Sequence, residues 1–186
     1  MAWQWGNDQE RWGAISKLLH WSTVALIFLQ FWLAVEAANL PVGLAKLGTL
    51  ARHKSVGITL LGLATLRLLW RISQSRSPRL PTNTPRWKRV LAGASHFGLY
   101  FLLFALPLTG WAMSSAKNYP VSWFNVVQLP DLVAPDEGAF VALRAIHHAL
   151  AIALCLLIAL HLAAALQHHF LQKDSVLLRM LPFRKS

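Results

Sequence analysis

The chain has 186 residues, of which 55% are hydrophobic and only 13% are charged. A soluble globular domain carries about 25% charged residues, so this composition excludes an ordinary soluble domain and indicates a membrane protein. The net charge is +11, which in a soluble protein would suggest nucleic-acid binding, and the single cysteine excludes an intrachain disulfide.

Four stretches are long and apolar enough to cross a hydrocarbon core, which takes about 20 residues of helix. With four spans there is little room for a separate soluble domain, so we expect residues 1–186 to form one transmembrane domain. Antiparallel helices joined by modest loops predict an all-α, integral membrane four-helix bundle, and such bundles hold cofactors between facing helices. The predicted spans are about 18–38, 55–70, 96–115 and 142–167.

The region before the first span has no net charge, whereas a signal peptide begins with a short basic segment. We therefore expect this span to be retained rather than cleaved.

Basic residues are concentrated in the connection between the second and third spans and in the C-terminal tail. The positive-inside rule places both segments in the cytoplasm, together with the N-terminus, and it places the acidic residues Asp131, Asp136 and Glu137 outside. The charge is thus explained by topology, and no nucleic-acid partner is expected. The basic residues are Arg67, Arg71, Arg76, Arg79, Arg86, Lys88 and Arg89 in the connection, and Lys173, Arg179, Arg184 and Lys185 in the tail.

The fourth span is apolar and yet rich in histidine. His147 and His161 are 14 residues apart, which is about 40° short of four helical turns, so the two side chains share a face. His148 lies about 140° away from His161 around the helix and is expected to point elsewhere. His168, seven residues after His161, returns to within about 20° of it and so shares its face. Fourteen residues rise by ~21 Å, so one helix presents an imidazole near each membrane surface.

Each of these imidazoles has a candidate partner at the same depth. His20 opens the first span at the inner side, level with His161, and His53 opens the second at the outer side, level with His147. Histidine pairs on facing helices are the axial ligands of b-type haem, so the pattern predicts two haems. A single histidine in a span is as often a hydrogen bond between helices, but four at matched depths favour a functional site. His96 begins the third span at the inner side, where it could contact or replace a ligand.

Two arginines follow His53 on the same helical face, one leaflet deeper. Arg67 and Arg71 come 14 and 18 residues after it, and arginine pairs with carboxylates through two parallel hydrogen bonds. They are candidates to hold the propionates of the inner haem, and the alternative is that they only anchor the helix at the inner surface.

Several motifs resemble the bacterial cytochrome b561 family over nearly the whole chain: SKLLHW, RHKSVGI, SHFGLYFLLFALPLTGW, IHHALA, LHLAAALQHHF and LLRMLP. The resemblance implies a four-helix protein of the bacterial inner membrane with two b haems, passing electrons between the outer face and the quinone pool. Its haem ligands, carried over by motif, fall on His20, His53, His147 and His161.

The resemblance further implies oxidation of superoxide at the outer face and reduction of ubiquinone. Cations near the outer haem would steer the superoxide anion, and Arg52, Lys54 and Arg144 are the candidates, with interfacial snorkelling as their alternative role. His96 and His168 are expected to border a quinone site near the inner haem, where imidazole can relay protons.

Two other functions fit parts of the pattern. The same core could serve as a membrane anchor that relays electrons between a partner dehydrogenase or hydrogenase and the quinone pool. A proton or metal transporter using histidines is disfavoured, because carboxylates are nearly absent from the spans, with Glu36 near an end as the exception.

Overall fold

The computed structural model describes residues 4–75, 78 and 84–181. Within these ranges the chain forms the predicted helical membrane bundle, and its four long helices are each long and apolar enough to cross a membrane. Every helix contains one predicted span and extends beyond both of its ends. The helices are α1 Ala14–Asn39, α2 Leu44–Ser73, α3 Arg86–Ala116 and α4 Glu137–Phe170. Four of the predicted inner cations, Arg76, Arg79, Arg184 and Lys185, lie outside the described residues.

The helices outgrow the predicted spans because charged residues end an apolar run without ending a helix. The span expected from residue 55 is preceded by Lys46, Arg52 and Lys54, and α2 nevertheless begins at Leu44. Lysine and arginine are good helix formers whose stems can lie along apolar surface. α4 rises by ~51 Å, which exceeds the ~30 Å of hydrocarbon, so its ends project beyond the membrane core.

The bundle is assembled from two helix pairs. α1 packs along α2, α3 packs along α4, and α2 against α3 joins the pairs. Leu33, Val56 and Leu60 form the buried core between α1 and α2. Among the described residues α4 makes no extended backbone contact with α1 or α2, and Leu154 is its one buried residue. Contacts of α4 with α1 and α2 therefore depend on long side chains.

The connection between α3 and α4 forms a hairpin at the end of the bundle that the charge distribution predicts to be the outer one, with β1 Val121–Trp123 pairing antiparallel to β2 Val127–Leu129. Its turn contains Phe124 and Asn125 with φ of 48° and 59°, a conformation that is uncommon outside glycine.

Four hydrogen bonds fasten this hairpin to α2. Ser55 makes two of them, because its Oγ donates to Ser122 O and accepts from Phe124 N, both at 3.0 Å. Lys54 Nζ donates to Pro120 O at 2.7 Å, and Trp123 Nε1 donates to Thr59 Oγ1 at 3.0 Å. The hairpin is thus a structured cap over the outer part of α2.

The two terminal segments meet at the opposite end of the bundle. Asn7 accepts a hydrogen bond from Ser16 Oγ at 2.7 Å and donates its backbone N–H to Gln74 Oε1 at 3.0 Å. Trp21 Nε1 donates to Met180 O at 2.9 Å, which holds a short 3₁₀ helix of the tail against α1. The described parts of both terminal segments therefore lie on one side of the bundle.

Candidate functional site

Side chains from all four helices meet near the hairpin in an outer site. His53 of α2 faces His147 of α4, with 6.5 Å between ring centroids and 74° between ring planes. Gln30 of α1 donates from Nε2 to His53 Nε2 at 3.1 Å, and Thr109 of α3 lies 3.2 Å from His147 Nδ1 through its Oγ1. The imidazole pair bridges the gap that the backbones of α2 and α4 leave between them.

Thr109 favours one tautomer of His147. Its hydroxyl has two carbonyl acceptors on its own helix, Ala105 O at 2.8 Å and Leu106 O at 3.0 Å, and when it donates to either of them it accepts from the N–H at His147 Nδ1. This leaves Nε2 of His147 with a lone pair, the state in which imidazole binds a metal.

Gly110 allows α3 to approach the His147 ring closely. A Cβ at this position would come within 3.1 Å of His147 Cε1, which is tighter than an ordinary van der Waals contact. His148, the next residue, is exposed. The structure therefore turns His147, and not His148, towards His53.

The outer site also holds two polar atoms that are buried without a partner, Gln30 Oε1 and His53 Nδ1. An unsatisfied buried polar atom costs roughly 1–3 kcal/mol, and such atoms in native proteins usually mark a bound group or a functional role. Because Gln30 donates to His53 Nε2, the unpartnered Nδ1 of His53 carries the proton of that ring, and ligation of a metal through His53 Nε2 would require Gln30 to turn away.

Three histidines gather at the inner end. His96 of α3 faces His161 of α4, with 5.5 Å between ring centroids and 67° between planes. His20 of α1 interacts electrostatically with both rings. The sequence predicted that His96 could contact a haem ligand or replace one. In the structure His96 is the direct neighbour of His161.

His20 is held by Arg67 rather than by another histidine. Arg67 Nη2 lies 2.9 Å from His20 Nδ1, and a guanidinium can only donate, so Nδ1 accepts and the proton of neutral His20 is on Nε2. Ligation of a metal through Nε2 would require Arg67 to release Nδ1.

The histidines form a pair at the outer site and a group of three at the inner end, and neither is arranged as a metal cage. Within residues 4–75, 78 and 84–181, no group of three or more His, Cys, Asp or Glu side chains is arranged to hold a metal ion. Two imidazoles per site suit haem, whose porphyrin supplies the other four ligands.

Arg67 and Arg71 lie together around Tyr100, each 5.5 Å from the ring centroid. Neither forms an ion pair with a carboxylate in the described part of the chain, where the ion pairs are Arg52 with Glu36, Lys117 with Glu137 and His168 with Asp174. Cations within a membrane are costly unless they are paired, so this cluster fits the carboxylates of a bound group.

The three outer cations differ in what they contact. Lys54 is tied to the hairpin through Pro120 O. Arg52 lies 3.9 Å from Glu36, and Arg144 is exposed. The side chain of Arg52 is itself 61% exposed, so Arg52 and Arg144 are both accessible, whereas Lys54 is held by the hairpin.

His168 is separate from the pocket that contains His96. Its Nδ1 lies 2.6 Å from Asp174 Oδ2, and the two side chains are only 15% and 18% exposed. The sequence had placed both histidines at one quinone site, whereas the pocket beside His96 is lined by residues of α2 and α3 alone.

Sequence reasoning missed Gln30, Thr109, Tyr100 and Asp174. An amide in the middle of an apolar span, as at Gln30, is a usable indication of function. The contacts of Thr109, Tyr100 and Asp174 depend on which segments are neighbours in the fold. Residue spacing along one helix does not reveal this.

Comparison with known proteins gives consistent matches along nearly the whole chain. The family model for prokaryotic cytochrome b561 matches residues 11–183. The chain is 36% identical to cytochrome b561 homolog 2 of Escherichia coli K12 over 94% of its own length and 93% of the relative. It is 32% identical to cytochrome b561 homolog 1 of the same organism, over 90% and 94%. It is 28% identical to a protein of Yersinia pestis named probable superoxide oxidase CybB, over 90% and 93%.

Proposed function

Because this chain belongs to the prokaryotic cytochrome b561 family of haem-binding membrane electron carriers, we propose that it is a two-haem oxidoreductase of the bacterial inner membrane. Its substrates are superoxide, oxidised at the outer face, and ubiquinone, reduced near the inner face. The whole chain works as one transmembrane domain with both termini in the cytoplasm.

The observation that carries this proposal is the outer pair of His53 and His147. An imidazole nitrogen binds a metal at about 2.0–2.1 Å, so two rings on opposite sides of one ion have centroids roughly 6 Å apart. The observed separation is 6.5 Å. A b-type haem held by His53 and His147 would supply one-electron transfer rather than oxygen binding.

At the inner site we assign His20 and His161 as the axial pair, with His96 beside them. Arg67 donates to His20 Nδ1, so His20 would serve as a ligand through Nε2 only if Arg67 turned to another acceptor, and a haem propionate would supply one. Arg71, at the same distance from Tyr100, is the second candidate for a propionate. Charge-assisted bonds to carboxylates are stronger than a bond to neutral imidazole, which favours the exchange.

The choice of substrates is supported by chemistry and by the name of one relative. Superoxide gives up one electron and leaves as oxygen, whereas ubiquinone takes up two electrons and two protons. Two superoxide anions, one ubiquinone and two protons therefore yield two molecules of oxygen and one ubiquinol. The chain provides exposed Arg144 on the side where superoxide arrives and imidazoles on the side where protons are needed.

Haem stoichiometry tests the core of the proposal. The purified protein is expected to contain two haem b per chain, with a Soret band and sharp α-bands on reduction. His20→Ala and His53→Ala should each lower the content to one, while His169→Ala serves as the control and should keep two. A protein that binds one haem would contradict the two-haem assignment, and a protein that binds none would reopen the transporter alternative.

One observation favours the relay alternative, in which a partner dehydrogenase or hydrogenase docks at the outer face. The hairpin exposes Trp123, Phe124 and Val126, with relative exposures of 39%, 51% and 73%. A relay would need the partner, so activity of the purified chain alone separates the two functions.

A further inference from the structure

We infer that a groove between α1, α2 and the hairpin binds one phospholipid with a phosphoethanolamine headgroup. The groove has a volume of about 350 Å³, within the ~300–1,000 Å³ that small-molecule sites occupy. Leu29 of α1 and the hairpin residues Trp123 and Phe124 line it and are exposed, so in a membrane-spanning bundle its opening faces lipid. No histidine of the described ranges lines the groove, and the inference does not depend on the proposed reaction.

The groove extends from the membrane surface to the middle of the bilayer. Its lining reaches Leu26, at the midpoint of α1, and at its other end Arg52 lies beside Glu36. Ten residues of helix separate Leu26 from Glu36, a rise of ~15 Å, which is half of the ~30 Å hydrocarbon core. The groove therefore spans one leaflet, as the acyl chain of a phospholipid does.

Most of the lining is apolar and leaves no hydrogen-bond donor free. Three leucines of α1, Val56 of α2 and Phe124 of the hairpin supply hydrocarbon surface. The two polar groups among them are already bonded, because Trp123 Nε1 donates to Thr59 Oγ1 and Thr59 Oγ1 donates to Ser55 O, both at 3.0 Å. A quinone ring in this part of the groove would lack donors for its carbonyl oxygens, whereas an acyl chain needs none.

A cation and a carboxylate stand together at the surface end of the groove. Arg52 Nη2 and Glu36 Oε1 are 3.9 Å apart, which is beyond hydrogen-bond distance. Arg52 donates from the same nitrogen to Thr49 Oγ1 at 3.0 Å, but a guanidinium carries five N–H groups and retains donors for a phosphate. The Glu36 carboxylate can in turn accept from a positively charged donor.

This pair of opposite charges selects among headgroups. A phosphoethanolamine headgroup carries a phosphate and a primary ammonium joined by a short ethylene link, so the phosphate can meet Arg52 while the ammonium donates to Glu36. Phosphatidylglycerol offers no cation to Glu36, and phosphatidylcholine offers an ammonium without N–H groups. The geometry thus favours the ethanolamine lipid over both.

Affinity for different headgroups tests the charge match. Native mass spectrometry of the purified chain measures binding of dioleoyl-phosphatidylethanolamine, dioleoyl-phosphatidylcholine and dioleoyl-phosphatidylglycerol. We expect the ethanolamine lipid to bind about tenfold more tightly than the choline lipid, because it gains one charge-assisted hydrogen bond. Glu36→Gln should remove most of this preference, and Arg52→Gln should weaken binding of all three lipids. Equal affinities of the unmodified protein for the ethanolamine and choline lipids would overturn the inference.

A matched pair of tryptophan variants tests the groove itself. Leu29→Trp places a larger side chain in the groove, whereas Leu156 of α4 is exposed outside it and Leu156→Trp is the control. We expect Leu29→Trp to bind the ethanolamine lipid about tenfold or more weakly, and Leu156→Trp to match the unmodified protein. Unchanged helical circular dichroism verifies that both variants fold.

A phosphatidylethanolamine with a diazirine on one acyl chain locates the site. It should label the hairpin and residues 26–33 of the unmodified protein, and Leu29→Trp should lose this labelling. Labelling confined to other segments, full affinity in Leu29→Trp, or displacement of the probe by an equal concentration of ubiquinone would each contradict a phospholipid site in this groove.

Discussion

At the scale of single residues, the clearest contrast is between two adjacent histidines. His147 faces His53 and has its Nδ1 3.2 Å from Thr109 Oγ1, whereas His148 is exposed. We expect His147→Ala to lose the outer haem and keep the inner one, and His148→Ala to keep both. Haem content and the reduced α-band spectrum report the result. Loss of a haem in His148→Ala, with full content in His147→Ala, would show that the helical-face argument is wrong.

His168 is held by Asp174 through its Nδ1, at 2.6 Å. This bond orients the ring and leaves Nε2 to exchange protons with the inner aqueous side. Because quinone reduction consumes protons, we expect His168→Ala to slow it by roughly 100-fold or more without altering the haem spectrum. Asp174→Asn should give a smaller loss of the same kind. Unchanged quinone kinetics in both variants would remove the pair from the reaction, and His169→Ala is the control.

At the scale of elements, the outer hairpin depends on α2 for its position. Ser55→Ala removes the bonds to Ser122 and Phe124, which are worth roughly 1–3 kcal/mol together. We expect faster hydrogen exchange in β1 and β2 and unchanged exchange in the helices. Thr65→Ala is a matched control, since Thr65 Oγ1 donates only to Leu61 O of its own helix. Equal exchange in the two variants would mean that the hairpin holds its place without Ser55.

At the scale of the whole molecule, much of the architecture was predictable from the sequence. Apolar length alone gave the number of helices, because the spans are separated by charged or proline-containing links. The 14-residue spacing placed His147 and His161 on one face, because a helix has a fixed angular step. Hydropathy, charge and periodicity can each be read along a single helix, and the correct predictions were made from them.

What escaped prediction depends on neighbours in space. The proximity of His96 to His161 and the bond between Arg67 and His20 follow from how α1, α2 and α3 pack, which no periodicity encodes. The hairpin was expected only as a long connection, since its strands are three residues each and its turn has no glycine. The position of Asp174 depends on a chain reversal after α4.

The whole distribution of charge predicts how superoxide capture responds to salt. Steering by exposed cations weakens as the screening length falls to about 10 Å at 0.1 M salt. We expect the superoxide rate to fall with ionic strength and to fall further in Arg144→Glu, while oxidation of the reduced haems by neutral ubiquinone should barely respond. Lys54→Glu is less informative, because it would also break the bond to Pro120. A superoxide rate indifferent to both changes would indicate that this face docks a partner protein.

The central claim is that this chain alone passes electrons from superoxide to ubiquinone through two haems. The most direct measurement supplies superoxide enzymatically to the purified, haem-loaded protein with ubiquinone in proteoliposomes, and follows ubiquinol formation. The account predicts one ubiquinol for every two superoxide anions consumed, with the reaction lost in His53→Ala. Haems that superoxide does not reduce, or that pass no electrons to ubiquinone without an added partner protein, would contradict it.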